Sequence, residues 1–422
     1  MLIYFPFIFF SALTIYLWKK KQYIDVAIFL SAEYALTSFF AILCVKMDLL
    51  GAGGILFTRE TLELNFVPTL LYCTLITITI IPFSKLDIYK IKNIYNPSQL
   101  IFSLFSYFLI AIALLNIYII IDNIIAVFQE GDFASVRASH YDGEKTAADL
   151  KAESLPSILR YLYYFNRSTI LALPCFFYSL CFLKKHWIYN CTLLFAALSL
   201  PLSGIQNADR TEFIFFAQTL IVSFLLFRPY FQTAQKRFLK RIMIPLCILF
   251  ILYLSAVTIA RFAERETGAS GGSIQYAGQN YLNFCYFYEY ANNDNVYTTR
   301  MFPFVNHMFK DMDYADTKEI QSEQQGFFIG VFASFLGVFL LDTGLIGLLL
   351  WILAFYIITH LTFRFDNMNQ ISLGNLIGYY VLATIPAFGI FYYPYIDYMQ
   401  GIFLILSVCI SILLHYKFKI KE

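Results

Sequence analysis

The sequence predicts an all-α polytopic membrane protein, and three observations support this fold class. Of its 422 residues, 59% are apolar and only 14% are charged, whereas a soluble domain carries about 25% charged residues. Apolar runs of about 20 residues, the length of a helix that crosses a bilayer, recur along the whole chain. The eight cysteines fall almost entirely within these runs and form no CxxC pair, so neither a disulfide framework nor a cysteine metal site is predicted.

The chain contains about eleven such runs (roughly 10 to 13), which together form a single integral membrane domain over residues 1–422. The first run is followed rather than preceded by basic residues, so we expect a retained helix and not a cleaved signal peptide. In chain order the predicted spans are 2–18, 25–45, 64–83, 99–121, 162–183, 187–204, 210–228, 242–262, 343–361, 372–393 and 398–416.

The distribution of charge predicts the orientation of these spans, because lysine and arginine concentrate in cytoplasmic segments. Alternate inter-helix segments and the C-terminal tail hold more than half of the 30 basic residues, with only four acidic residues among them. We therefore place the N-terminus outside and the C-terminus in the cytosol. The basic residues concerned are Lys19, Lys20, Lys21, Lys85, Lys90, Lys92, Lys184, Lys185, Arg228, Lys236, Arg237, Lys240, Arg241, Arg364, Lys417, Lys419 and Lys421.

Two long segments are predicted on the extracytoplasmic side. The first is an extracytoplasmic loop over 122–160, and its stretch TAADLKAESL is suited to a short amphipathic helix. The second is a large extracytoplasmic loop over 263–341 with a Tyr- and Asn-rich centre, which suits sugar binding as well as packing on a membrane surface.

The last part of the large loop, 327–341, is apolar, and we expect it to lie on the outer surface or dip into it. The next crossing would then begin at Asp342, which would cap a helix or line a site. One long tilted helix is the alternative.

Arginine is costly at a membrane, so arginines near the outer side are candidates for function. Arg210 lies in a very short hairpin, SGIQNADRTEF, in which Asp209 and Glu212 have the spacing of a capping box and predict the start of a helix. A helix N-terminus with an arginine attracts anions. An arginine that only reaches toward the interface is the alternative.

Five further arginines lie on the same predicted side: Arg160, Arg167, Arg261, Arg265 and Arg300. Arg160 and Arg167 are spaced to share one helical face, and so are Arg261 and Arg265. Such a pair can hold a diphosphate through bidentate hydrogen bonds. A salt-bridged cluster with Glu264, or an aromatic belt with Tyr161, is the alternative. The basic residues are not gathered on one soluble face, so nucleic acid is not an expected partner.

The candidates for acid–base chemistry are Glu289 and His307. Glu289 lies in the aromatic setting FYEYANN, where desolvation would suit it to proton transfer, and His307 is the only histidine of the large loop. A structural role is the alternative for both. No Walker, Rossmann, HExxH or GxSxG motif occurs, and the outer pair Asp311 and Asp313 is a weak metal signal, so we expect neither a cofactor nor a metal.

The hairpin NADRTEFIFF, the helix end ARFAER, the late outer loop and the stretch FASFLGVFLLDTGLIGLL resemble the bacterial oligosaccharide repeat-unit polymerases, the Wzy-type O-antigen or capsule polymerases. The resemblance covers most of the chain by layout but only short pieces by residue. It implies a GT-C-like helical fold and a metal-independent glycosyltransferase in the bacterial plasma (inner) membrane. Such an enzyme joins undecaprenyl-diphosphate-linked oligosaccharides on the outer face of that membrane, and a chain-length regulator is a further partner to consider.

The resemblance also implies roles for particular residues. Arg210, Arg261 and Arg265 would bind the diphosphate leaving group, and Glu289 or His307 would deprotonate the acceptor hydroxyl. Two other functions stay open. A flippase or other transporter of lipid-linked oligosaccharides also needs membrane arginines, although the internal repeats common in transporters are not visible here. An O-antigen ligase would differ only in its acceptor.

Overall fold

The computed structural model is about 79% helical. It describes residues 1–51, 54–96, 98–130, 147–183, 185–262, 268–291, 300–302, 306, 314–362, 370–396 and 398–415. The α-helices are α1 Phe5–Lys21, α2 Val26–Lys46, α3 Phe66–Lys85, α4 Gln99–Glu130, α5 Ala147–Glu153, α6 Ser157–Tyr163, α7 Ala172–Tyr178, α8 Trp187–Ile205, α9 Thr211–Phe227, α10 Thr233–Phe262, α11 Gly268–Tyr290, α12 Tyr314–Gln325, α13 Ser334–Thr362, α14 Leu373–Phe388 and α15 Tyr398–Leu413. Two short strands are β1 Asn93–Tyr95 and β2 Gln370–Ser372.

Nine helices in the described part of the chain are long and apolar enough to cross a membrane. The prediction of an all-α polytopic membrane protein is therefore confirmed. These nine helices coincide with the first nine predicted spans, and the last two spans correspond to the shorter apolar helices Leu373–Phe388 and Gln400–Leu413. Span five is irregular, with a 3-10 helix over Asn166–Leu171, then α7, then a π-helix over Ser179–Leu183.

The chain forms two compact units. Unit 1 contains Met1–Lys90, Ser270–Asn369 and Val381–Leu404, and unit 2 contains Ile91–Ala269, Gln370–Tyr380 and Ile405–Glu422. In unit 1, α1, α2 and α3 pack together and α13 packs on α3. In unit 2, α4 and α9 both pack on α8. Both units contain membrane-length apolar helices, so the division does not set off a soluble domain within the described ranges.

The segment predicted as the large loop contains α11, a helix of 23 residues that is largely buried in unit 1. Its side chains pack on α2 and α3: the Tyr281 hydroxyl lies 2.7 Å from that of Thr69, and the Tyr72 and Tyr281 ring centroids are 5.3 Å apart. At Gly278 the helices approach so closely that a Cβ atom would lie 2.6 Å from the carbonyl carbon of Phe40. The part of the Tyr- and Asn-rich stretch up to Tyr290 is therefore a packed helix, and residues 292–299 lie outside the described part.

One face of α11 carries four buried carboxamide residues that bond to the backbone of neighbouring non-helical segments. Gln275 donates to the carbonyl of Leu49 (2.9 Å) and Asn280 donates to that of Ile390 (2.7 Å). Asn283 accepts from the N–H of Leu56 (3.0 Å) and donates to the carbonyls of Gly54 and Phe332, while Gln279 accepts from the N–H of Phe332. The carboxamides of α11 thus supply hydrogen-bond partners to backbone groups of these segments that lie outside regular secondary structure.

Helix α13 is broken at Gly344, whose φ of 65° and ψ of −176° are not helical. The break falls where the sequence predicted that the crossing begins. The preceding residues, however, are helical from Ser334 and buried from 333 to 341. Within segment 327–341, the second half is thus a helix whose apolar side chains are buried inside unit 1.

The predicted loop 122–160 is mostly helical in the part that the structure describes; residues 131–146 lie outside that part. Helix α4 extends to Glu130, and the short helix predicted at TAADLKAESL is confirmed as α5. Ala148 packs on Ile119 and Ile120 of α4, and the Lys151 ammonium lies 2.7 Å from Asp122.

The strands β1 and β2 pair in parallel in unit 2, with Ile94 opposite Ile371. Nearby, the Tyr230 hydroxyl donates to the carbonyl of Ile91 (3.1 Å). Two segments far apart in the sequence are thereby fixed at the same end of this unit.

Candidate functional site

Arg210 is buried at the N-terminus of α9, in unit 2, with only 7% of its surface exposed. Its Nη1 donates to the Thr258 hydroxyl (3.0 Å), and its guanidinium carbon lies 5.0 Å from the centroid of the Phe262 ring. A cation over an aromatic face is attracted by the ring quadrupole. The end of α10 therefore holds the hairpin arginine from one side.

Glu212, two residues further along α9, forms a bidentate ion pair with Arg167. The distances are 2.6 Å from Nη1 to Oε2 and 2.5 Å from Nη2 to Oε1, and the two side chains are 20% and 10% exposed. Asp209 accepts hydrogen bonds from the N–H and hydroxyl of Thr211. The predicted helix start is confirmed, with Arg210 as N-cap residue and without a side-chain cap hydrogen bond; Glu212, which was expected as a capping-box partner, fixes a second arginine beside the hairpin.

The hairpin and the C-terminal half of α10 are joined by Tyr253 as well. Its ring stacks on Phe213, with centroids 4.2 Å apart, and its hydroxyl lies 3.4 Å from the carbonyls of Gly204 and Asp209. The backbone of Arg261 belongs to α10, between Thr258 and Phe262, while its side chain lies outside the described part, as does all of Arg265. Unit 2 thus brings together Arg167, Arg210 and the helix end that carries Arg261.

Arg160 has a different environment. It is exposed, and its Nη2 donates to the carbonyl of Glu153 and, at 3.4 Å, to that of Leu155. These carbonyls lie at the C-terminal end of α5, where a cation stabilises the helix end. Arg160 therefore fixes the α5–α6 turn.

Arg300 belongs to unit 1 and is 4% exposed. Its Nε lies 3.9 Å from Oδ1 of Asp342, whose side chain is fully buried. Nε and Nη2 of Arg300 have no hydrogen-bond partner among the described residues. The other Asp342 oxygen accepts from the backbone N–H of Arg300 (2.6 Å) and Met301 (2.8 Å), and Gln321 donates to Oδ1 (3.0 Å). Asp342 holds residues 300–301 at the break in α13.

Glu289 lies near the end of α11 in unit 1, where it is exposed, so the expected desolvation is absent. Its Oε1 accepts a hydrogen bond from the side-chain amide of Asn65 (3.0 Å). His307, the other candidate base, lies outside the described residues. Burial raises the pKa of the Tyr281 phenol and of the Cys285 thiol well above their ordinary values, so both stay protonated and neither is a base or a nucleophile at neutral pH.

An aromatic cluster lies at the same end of α11 as Glu289. The Tyr290 ring is 50% exposed and lies 4.6 Å from that of Tyr286 and 6.4 Å from that of Phe57, centroid to centroid. Phe57 is fully buried, and Tyr286 contacts Phe327 edge-on at 5.3 Å.

Several of these contacts had no signal in the sequence. Asn65 and Glu289 are 224 positions apart, and Arg210 and Thr258 are 48 apart. The pairing of Arg167 with Glu212 was missed because Glu212 already had a local explanation. Among the described residues there is no group of three histidine, cysteine, aspartate or glutamate side chains that would hold a metal ion, and the Asp311–Asp313 pair lies outside them.

The chain matches no protein-family model, no curated protein and no solved structure.

Proposed function

We propose that this protein polymerises undecaprenyl-diphosphate-linked oligosaccharide repeat units into O-antigen or capsular polysaccharide on the outer face of the bacterial plasma membrane. The observation that carries the proposal is the buried Arg210, held at a helix N-terminus beside the Arg167–Glu212 pair and the end of α10. A guanidinium enclosed among apolar helices is costly, and the usual reason for keeping one is an anionic partner. A helix N-terminus adds a positive dipole to the same place.

The proposed reaction transfers the growing glycan from its lipid diphosphate to the next lipid-linked unit. The bond between the anomeric carbon and the diphosphate oxygen breaks, and the lipid diphosphate leaves with the bonding electron pair. The acceptor hydroxyl oxygen forms the new bond to the anomeric carbon, and its proton passes to a base, for which Glu289 and His307 are the candidates.

In this proposal Arg210, Arg261 and Arg265 neutralise the charge that develops on the leaving group, as preorganised donors do in other active sites. Arg167 lies beside the Arg210 hairpin and is paired with Glu212. The sequence grouped Arg160 and Arg300 with these arginines, but both have contacts outside the Arg210 hairpin. Arg160 donates to carbonyls at the end of α5, and Arg300 lies in unit 1, with Nε 3.9 Å from Oδ1 of Asp342. We therefore leave these two out of the proposed diphosphate site.

The test is to replace Arg210 in cells that depend on this gene for surface polysaccharide. Arg210→Ala is expected to lower polymerisation by about 10²-fold or more, because a preorganised donor to the leaving group is lost. Arg210→Lys should also fail, since an ammonium cannot reproduce bidentate binding. The measurement is the chain length of the surface glycan on gels. Arg59→Ala is the matched control, because that side chain is 82% exposed in an ion pair with Asp48.

The same cells separate the rival functions. The polymerase proposal requires that single repeat units still reach the surface in Arg210→Ala. Loss of single units as well would indicate a flippase, and loss of transfer to the lipid A core with long lipid-linked chains retained would indicate a ligase. With purified lipid-linked units, Glu289→Gln and His307→Ala test the base, and full activity of both variants would reject both candidates.

A further inference from the structure

We propose that the C-terminal end of α11 carries a binding subsite for a sugar ring, with Tyr290 as its stacking platform and the Asn65–Glu289 pair as its polar edge. This inference rests on the proposed function, in that it assigns the glycan part of the substrate to unit 1.

The Tyr290 ring is half exposed and is supported from behind. Tyr286 lies one helical turn before it with ring centroids 4.6 Å apart, and the buried Phe57 meets both rings near the perpendicular, at 5.2 Å and 6.4 Å. A tyrosine held in this way offers a large contact area and loses little conformational entropy on binding.

Hydrogen-bonding groups lie at the same end of α11 as this ring. Glu289 precedes Tyr290 in the chain, and its Oε1 accepts from Asn65 Nδ2, with both side chains exposed. This bond uses one amide hydrogen and one carboxylate lone pair, which leaves a donor and several acceptors for a ligand. A sugar ring presents a face of C–H groups and a rim of hydroxyls that both donate and accept, so it matches an aromatic surface with a carboxamide and a carboxylate at its edge.

Two observations favour a glycan over lipid at this place. An exposed carboxylate hydrogen-bonded to an amide is poorly suited to an acyl-chain environment, where ionised groups are costly. Other exposed tyrosines, such as Tyr16 and Tyr107, lie instead within apolar helices long enough to cross a membrane. The negative charge of Glu289 also disfavours the diphosphate, so the subsite should recognise the sugars themselves.

The test measures binding of the lipid-free oligosaccharide that mild acid releases from the lipid-linked repeat units of the same cells. Purified full-length protein in lipid nanodiscs is titrated with this glycan by calorimetry, and saturation-transfer NMR reports which sugar protons contact it. Tyr290→Ala is expected to weaken binding about tenfold or more, since the stacking surface is lost, while Tyr290→Phe should stay within about threefold. Asn65→Ala should weaken binding to a smaller extent. Tyr16→Ala, also an exposed tyrosine of unit 1, is the control and should bind like the wild type.

Unchanged glycan affinity in Tyr290→Ala, with a folded protein by thermal unfolding, overturns the subsite and assigns the cluster to the lipid interface. Equal losses in Tyr290→Phe and Tyr290→Ala also overturn it, because the ring would not be the binding element. The proposed function fails in a different way, through an Arg210→Ala variant that polymerises normally. The subsite can therefore be rejected while the polymerase proposal stands, because the two are tested in separate assays.

Discussion

At the scale of single residues, Arg300 and Asp342 form a buried charge pair whose contribution to stability can be measured. The pair is enclosed in unit 1, where the carboxylate also accepts two backbone N–H groups and the Gln321 amide. Removing one partner of a buried pair leaves an uncompensated charge, which costs far more than the pair contributes when intact.

We therefore predict that Asp342→Ala destabilises the protein by about 3–5 kcal/mol, with a smaller loss in Asp342→Asn, whose side-chain oxygen can still accept. The measurement is thermal unfolding of purified variants in one detergent. A double variant with Arg300→Met should recover part of the loss, because the orphaned charge is then absent.

The exposed ion pair Arg59–Asp48, 3.2 Å apart, is the matched control for this prediction. Asp48→Ala should change stability by less than about 1 kcal/mol, because solvent screens exposed pairs. Similar losses of stability in Asp342→Ala and Asp48→Ala would show that the buried pair does not stabilise the fold more than an exposed pair does.

Span five illustrates a different residue-scale outcome. Arg167 and Arg160 were predicted as one face, but Arg167 pairs with Glu212 of α9 while Arg160 caps α5. The seven-residue spacing requires a continuous helix. The chain instead has α6 up to Tyr163 and a 3-10 helix from Asn166, which changes the rotation between the two positions.

At the scale of elements, α11 is the largest departure from the sequence interpretation. Its polar residues led to the prediction of a loop, because hydropathy reports the average of a segment. It does not report the direction in which each side chain points. In the fold, its carboxamides bond to the backbone of three segments and its small residues allow close packing on α2.

Gly278 tests this packing. A methyl group there would lie within 2.7 Å of the backbone of α2, so the two helices would have to move apart. We predict that Gly278→Ala destabilises the protein by about 1–3 kcal/mol and that Gly278→Val does so by more, measured by thermal unfolding. Ala277→Val, a neighbouring half-buried position of the same helix, should have little effect. A Gly278→Val variant with wild-type stability would mean that α11 does not pack on α2.

At the scale of the whole molecule, contacts within each unit constrain the number of crossings. Two segments that touch outside the bilayer must be separated by an even number of spans. Six predicted spans lie between β1 and β2. Asn65 lies at the start of span 64–83 and Ile390 near the end of span 372–393; with these two spans included, six separate Asn65 from Glu289 and two separate Asn280 from Ile390. The predicted span order is therefore compatible with these contacts, although they do not fix which side is outside.

Cysteine labelling fixes the side. In a variant without native cysteines, we predict that Glu323→Cys on α12 reacts with a membrane-impermeant maleimide in intact cells, because α12 belongs to the predicted outer segment. Lys236→Cys at the start of α10 should react only after permeabilisation. The reverse pattern would invert the predicted orientation and move the Arg210 site to the cytosol, where a lipid-linked donor is no longer required.

The sequence alone determined the fold class and the positions of the apolar helices, because the hydrocarbon core demands long runs of apolar residues with internally bonded backbone. It also located the helix start at Thr211 and the start of a crossing at Asp342, next to the break that the structure shows at Gly344, because both depend on local capping chemistry. Only the tertiary structure decided the partners of the arginines, the burial of α11 and the aromatic cluster around Tyr290. Some of those contacts join residues that are 224 positions apart. Packing and charge pairing between such distant residues produce no periodic pattern in a single sequence.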